Sequence, residues 1–426
     1  MVDVFRLALR GLALAVLLAA AGAPAGAGAL GFDESLRLAQ QRSLQLPAQE
    51  AAADAARQMA VAAGHRPDPT LKAGIANLPL QGSERFSLTR DSMTMRTVGV
   101  MQELTRGSKL QARSARFERE AEVALVNRRL LLAGLQRDTA IAWLERHFQQ
   151  RMRELLQQQR DEARLQVQAA EAAYRGGKGP QAEVLAARAA VEQLEDRLAQ
   201  AERDVALAGT QLARWVGPRA GEPLGDAPAL DRVALEAGEL EAGIAHHPQV
   251  AVLAQQEAVA QAEAEVARSG RQPDVSVELM YAQRGPGYPS MASITVSLPL
   301  QWDRGNRQDR ELAAKLSVAE QLRAEREEAT RAHAAEVRTM LQAWHSARER
   351  LQRYDSALQP LAGQRTQAAL AAYRGGAGPL SAVLEARRAE IDTRMERLRL
   401  EMEAARLWAQ LNYLAPRQHG AAEEQR

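Results

Sequence analysis

No cysteine occurs among the 426 residues, which excludes a disulfide framework, a thiolate metal site and a lipid-bearing cysteine behind a leader peptide. Attachment to a membrane, if it exists, must come from the polypeptide itself. Charge of one sign is lacking too: 55 Lys and Arg stand against 53 Asp and Glu, interspersed along the chain. Without a concentrated basic face, nucleic acid is not an expected partner. Signatures of enzymes are also missing. There is no nucleophile elbow, phosphate loop or metal-hydrolase helix, so neither catalysis nor a cofactor is expected. Aromatic residues make up only 4%, and a chain dominated by Ala, Leu, Glu, Gln and Arg has the composition of long helices and coiled coils.

Long apolar runs are confined to Leu12 to Ala21, which is short for a spanning helix. Arg6 and Arg10 precede it and small residues from Ala23 to Ala29 follow. This is the pattern of a secretory signal over residues 1–29, cleaved near Ala25 to Ala29.

Proline is absent from Ser108 to Tyr174, and Gly134 is the only glycine inside that stretch. About 66 residues can therefore run as one helix of roughly 100 Å at 1.5 Å per residue. Asn306 to Tyr373 repeats this length, with Pro360 expected to kink or interrupt it.

The two rods belong to a duplication. Ala173-Tyr174-Arg175-Gly176-Gly177-Lys178-Gly179-Pro180 returns as Ala372-Tyr373-Arg374-Gly375-Gly376-Ala377-Gly378-Pro379. Val184-Leu185, Ala187-Arg188 and Leu212 return as Val383-Leu384, Ala386-Arg387 and Leu411. Upstream, Pro67-Asp68 is echoed by Pro273-Asp274, and Thr105-Arg106-Gly107 by Asp303-Arg304-Gly305. A recurrence about 200 residues apart makes the chain two copies of one structural unit.

Each copy reads in the same order. Phe32 to Gly64 is expected as a helix with Asp33 as its N-cap. Alternation then predicts strands near Leu71 to Ile75 and Met93 to Leu104, and in the second copy near Val275 to Tyr281 and Ile294 to Leu300. After each rod a glycine turn reverses the chain. The returning helix carries a heptad stripe at Val184, Ala187, Val191, Leu194, Leu198, Ala201, Val205, Ala208 and Leu212, with a second stripe at Ile391, Met395, Leu398, Met402, Ala405 and Ala409. The resulting domains are a first repeat over 30–217 (strands 69–104, helical hairpin 108–217), a Pro/Gly-rich linker over 218–234, and a second repeat over 235–414 (strands 273–302, hairpin 306–414). A frayed tail covers 415–426.

Two strands per copy cannot form a stable sheet alone, and four per chain cannot close a membrane barrel. Closure would require several subunits, with Val275, Val277, Leu279, Ile294 and Val296 toward lipid and Ser276, Glu278, Ser293, Thr295 and Ser297 toward water.

The duplication, the run Ser297-Leu298-Pro299-Leu300 followed by Asp303-Arg304-Gly305-Asn306-Arg307, and the tyrosine-glycine turn leading into Val-Leu-x-Ala-Arg together resemble the TolC family of outer membrane factors. The resemblance implies a mainly α fold with a small transmembrane β part, a homotrimer whose twelve-stranded barrel continues into a twelve-helix periplasmic tunnel. It implies an outer membrane exit duct of a tripartite efflux system, fed by a periplasmic adaptor protein and an inner membrane pump. Among the pumps the resemblance allows, one of RND type exporting metal ions or drugs is the expectation. The segments Met93 to Arg96 and Gly99 to Glu103 loosely resemble heavy-metal members.

By this resemblance the tip turns, Tyr174, Arg175, Gly176, Gly177 and Gly179 with Tyr373, Arg374, Gly375, Gly376 and Gly378, are expected to contact the adaptor. An acidic gate motif of the family survives partially as Glu183-Val184-Leu185-Ala186 and Ala382-Val383-Leu384-Glu385, so Glu183 and Glu385 are candidate pore-entrance rings of carboxylates. The competing reading of each is a solvated glutamate on a first helical turn. No metal site is expected: His246-His247 is the only adjacent histidine pair, and neither carboxylates nor thiolates converge on it. The alternative function is a periplasmic adaptor or coiled-coil scaffold, against which the two hairpins and four evenly spread strands argue.

Overall fold

A computed structural model describes residues 28–177, 179–233 and 243–417. The expected signal peptide lies outside the described residues except for its last two positions, as does most of the tail. The elements in chain order are α1 (Phe32–Arg42), α2 (Gln45–Ala63), β1 (Thr70–Ala76), β2 (Met95–Leu104), α3 (Gly107–Arg175), α4 (Gln181–Val216), α5 (Pro248–Gly270), β3 (Val275–Gln283), β4 (Met291–Ser297), α6 (Gln308–Arg353), α7 (Gln359–Arg374) and α8 (Leu380–Asn412). Helix, two strands, rod and returning helix thus occur twice.

Two expectations for the N-terminal helix need correction. It is broken in two, because Ser43 takes an extended backbone after α1. The break lets α1 bury Phe32 and Leu36 in the core while α2 runs alongside α3. Its N-cap is Gly31, with Asp33 inside the first turn, where a carboxylate still favours the helix dipole. Phe32 must lie within the helix to meet Trp143 edge-on at 5.5 Å.

α3 spans 69 residues without interruption. In the second repeat the helix is not severed at Pro360. Tyr354–Leu358 forms a single π turn with helical backbone on either side. Pro360 has no N–H to offer the carbonyl one turn back, and the wider turn absorbs that vacancy.

The main core lies midway along α3, where Trp143 and Phe148 pack with Trp344, Trp408 and Phe32. The segment expected as a linker joins this core. Gly217–Gly221 is a short 3-10 turn, Leu30 N–H donates to Pro223 O at 2.7 Å, and Arg219 pairs with Glu222 and Glu34.

The four strands form one antiparallel meander in the order β1-β2-β3-β4. Its β2–β3 pairing joins the two repeats, with Val100 opposite Leu279 and Val98 opposite Tyr281. Leu71, Val98, Val100, Leu279, Ile294 and Val296 share one face and are all exposed. The other face carries Lys72, Thr97, Glu278, Thr295 and Ser297. There Lys72 Nζ reaches Glu278 at 2.6 Å across β2, where Gly99 leaves the way open. β2 starts at Met95 rather than Met93, because the Asp91 carboxylate accepts from the Met93 and Thr94 N–H groups and holds a turn. β4 stops at Ser297, ahead of Pro299.

The first heptad stripe is buried between α3 and α4 at Val184, Ala187, Leu194, Leu198, Ala201, Ala208 and Leu212, with Val191 and Val205 half-buried. The expected second stripe has a different partner. Ile391, Met395 and Leu398 pack against Met152, Leu156 and Ala163 of α3 and Leu194 and Leu198 of α4, welding the hairpins together. The face of α8 that truly repeats the α4 seam meets α6 and α7 through Val383, Leu400 and Ala404, but is polar in its middle. Glu390 and Arg397 stand there where the first repeat has Val191 and Leu198.

Candidate functional site: the paired hairpin tips

The two glycine turns are built alike. Gly176 N–H donates to Ala172 O at 3.0 Å and Gly375 N–H to Ala371 O at 2.9 Å, closing the last turn of α3 and of α7. Gly177 and Gly376 follow with φ of 70° and 71°, left-handed values that glycine adopts without a Cβ penalty. Pro180 and Pro379, both extended, then open α4 and α8. At Gly179 and Gly378 a Cβ would lie 3.5 and 3.4 Å from the Cβ of Ala173 and Ala372, ordinary contact, so the conformational demand for glycine rests on Gly177 and Gly376.

Tyr174, Arg175, Gly176, Gly177, Arg374, Gly375 and Gly376 are exposed, Gly179 and Gly378 are half-buried, and Lys178 is not described. Tyr373 turns inward and packs on the apolar cluster that joins the tips. That cluster combines Ala170, Val184 and Ala187 of the first hairpin with Leu380 and Val383 of the second. Each tip is therefore held by its neighbour as well as by its own turn.

The two candidate acids are not equivalent. Glu183 is half-buried, and its Oε1 accepts the Leu380 N–H at 3.3 Å, capping the start of α8 from the opposite repeat. Glu385 is exposed and pairs with Arg365 at 3.2 Å. With Arg388, one turn further along α8, it lines a groove of about 850 Å³ between α3, α4 and α8 whose other lining residues include Ala163, Ala186 and Ile391.

The partner of the His246-His247 pair is not legible in the sequence. His247 Nδ1 lies 2.9 Å from His333 Nε2, both rings buried, and this contact ties the start of α5 to α6. Only the fold brings residues 86 apart together. Among the described residues no group of three or more His, Asp or Glu is placed to hold a metal ion, and no helix is long and apolar enough to cross a membrane.

Several solved structures share this architecture. The outer-membrane channel OprN superposes with a TM-score of 0.76 at 17% identity, covering 91% of this chain and 90% of that one. The outer membrane protein VceC from Vibrio cholerae gives 0.74 at 19%, covering 90% and 95%. The Campylobacter jejuni CmeC outer membrane channel gives 0.74 at 11%, covering 92% and 88%. At such identities the likeness is one of fold. No curated protein matches the sequence. The family model for outer membrane efflux proteins, however, matches residues 35–218 and 240–415, nearly all of both repeats. This overturns the adaptor or scaffold alternative. The chain belongs to the outer membrane efflux protein family, whose members are channels rather than enzymes, and sits in the outer membrane with a large periplasmic portion.

Proposed function

We propose that the protein is the passive exit duct of a tripartite efflux system, working as a homotrimer with a periplasmic adaptor protein and an inner membrane pump. The observation that carries this reading is the open sheet: β1 and β4 have no strand partner on their outer edges within the described chain, and unpaired edges in a bilayer must be satisfied by closure. Three copies supply twelve strands, a size compatible with a water-filled lumen lined by the Lys72 and Glu278 face. The helices below continue as a twelve-helix tunnel, and the paired glycine tips are the part offered to the adaptor. In this reading residues 1–29 are removed on export, and 30–217 and 235–414 act as the two repeats of the wall.

The pump is of RND type and the cargo is metal ions or drugs, a choice supported by the resemblance of Met93 to Glu103 to heavy-metal members. Energy and substrate choice reside in the pump. Glu183 and Glu385 each contribute three carboxylates near the tunnel entrance, and such rings favour cations.

Outer membrane isolation followed by native mass measurement of the detergent-extracted protein is the test. Trimers in that fraction, and restored resistance to metal salts or drugs in cells lacking their own duct, are the expected results. A monomer in the outer membrane fraction would overturn the closure argument.

A further inference from the structure

Trp302 is 88% exposed, more than any other large apolar side chain among the described residues. It ends an alternating row of exposed apolar residues, Ile294, Val296, Leu298 and Leu300, that begins on the outward face of β4. At the other end of that face stands Tyr281, exposed and cross-strand from Ala292, with its hydroxyl 2.8 Å from Ser290 Oγ. Ala292 to Gln301, β4 with the segment that continues it, reaches at most about 30 Å, or about 23 Å along the axis of a barrel with strands tilted near 40°, and Trp302 opens the turn that follows. That reach is close to the height of the apolar band of an outer membrane barrel. Tyr281 and Trp302 thus mark its two borders, with Trp302 on the side of the helices.

Cations follow the tryptophan at once. Arg304 and Arg271 share Asp309 at 3.4 and 2.8 Å, and Asp303 accepts from Asn306 Nδ2 at 2.9 Å. Arg307 and Arg310 are exposed, and neither has a carboxylate within 4.0 Å among the described residues, Glu311 included. The first repeat lacks this unpaired set. Leu104 replaces Trp302 and Ala112 replaces Arg310, while Arg106 is bound to Gln272 and Lys109 to Asp274. Two unpaired guanidinium groups beside an interfacial tryptophan therefore occur once per chain, in the second repeat.

We propose that the junction between β4 and α6 binds an anionic phospholipid of the periplasmic leaflet. Trp302 lies at the glycerol level beside the acyl chains, where an indole is both apolar and able to donate. Arg307 and Arg310 hold the headgroup phosphate by charge-assisted hydrogen bonds, which guanidinium forms in a fork matching phosphate geometry. The site anchors each hairpin pair to the membrane at a fixed height. This rests on the outer membrane placement of the chain and is independent of the cargo.

Trp302 fluorescence tests it, with the Trp302→Phe protein subtracted to remove the other four tryptophans. The full-length protein is reconstituted in phosphatidylcholine vesicles containing one tenth brominated phosphatidylglycerol, or the same fraction of brominated phosphatidylcholine. The expected result is about two-fold or greater quenching by the anionic lipid over the neutral one. The Arg307→Gln/Arg310→Gln protein should lose that excess while retaining wild-type circular dichroism and mass. Equal quenching by both lipids in the wild type overturns the proposal, as does an unquenched Trp302. Loss of the excess on adding inorganic phosphate at constant ionic strength would also overturn it, by showing a site for free anions. Failure of the export test would leave the lipid readout untouched, so the two readings are separable.

Discussion

Glu183, in the first turn of α4, accepts the backbone N–H of Leu380, the first residue of α8, at 3.3 Å. The residues lie 197 positions apart and belong to opposite repeats. A carboxylate that caps its own helix by charge alone would be free to solvate. This one satisfies an orphan donor of its neighbour, so any role at the tunnel entrance is coupled to how the tips are held.

Substitutions at Glu183 should therefore separate charge from capping. Glu183→Gln keeps an acceptor for Leu380, whereas Glu183→Ala removes it, at a cost of about 1 kcal/mol typical of lost caps. Hydrogen exchange over 380–384 should rise in the alanine protein and stay near wild type in the glutamine protein. Reversal potentials in planar bilayers should shift toward lower cation preference in both. Glu385→Gln, at an exposed position paired with Arg365, should move the potential alone.

Gly217 closes α4 with φ 69° and ψ −143°, a region reserved for glycine. A Cβ there would sit 2.6 Å from the Arg42 guanidinium carbon at the end of α1. Gly217→Ala should destabilise the protein by about 1–3 kcal/mol, read as a fall in melting temperature. Adding Arg42→Ala should recover part of that loss, since it removes the steric clash but leaves the backbone strain.

The rods and their turns were legible because proline and glycine punctuate them, and the strands because alternation has a period of two. Pairing across repeats was not. α8 carries two apolar faces, so periodicity alone did not tell which meets α3 and which meets α6. The break at Ser43 has its signal in Pro47, four residues on, which cannot donate to the Ser43 carbonyl and whose ring crowds it, so the chain leaves the helix there. At the tip, Glu183 and Glu385 stand at opposite ends of the repeated motif, but only the fold shows that the first caps Leu380 of the other repeat while the second stays exposed. The contact between His247 and His333 needed the full fold.

In the second seam Arg397 holds Asp355 at 2.5 Å and Glu401 at 2.6 Å, beside the π turn. The first repeat has Leu198 and Leu156 at the positions of Arg397 and Asp355, both buried. An ion pair with one partner half exposed contributes little, so leucines that pack as Leu198 and Leu156 do can replace it without loss. Arg397→Leu/Asp355→Leu should match or exceed the wild-type melting temperature. Arg397→Leu alone should lose about 0.5–1 kcal/mol, because Asp355 is half exposed and water screens it.

His247 should make stability depend on pH. Burial, followed by the neighbouring His333 and His246, holds its imidazole below the ordinary value, so the folded state favours the neutral ring. The groups around the pair are His246 beside it and Glu336 on α6, whose carboxylate lies 3.5 Å from His333 Nδ1. An unfolded histidine titrates near about 6.5, and protons then bind the unfolded chain more readily than the folded one. The contribution is present in full above that pH and is lost as pH falls through the lower folded value. The melting temperature should be flat from pH 7 to 8 and should drop on acidification below about 6.5. In His247→Leu/His333→Leu the drop should shrink. His333→Leu alone should cost about 1–3 kcal/mol at pH 7.5, because it strands a buried ring nitrogen of His247 without a partner. An acid slope unchanged in the double variant would assign the pH dependence to other groups.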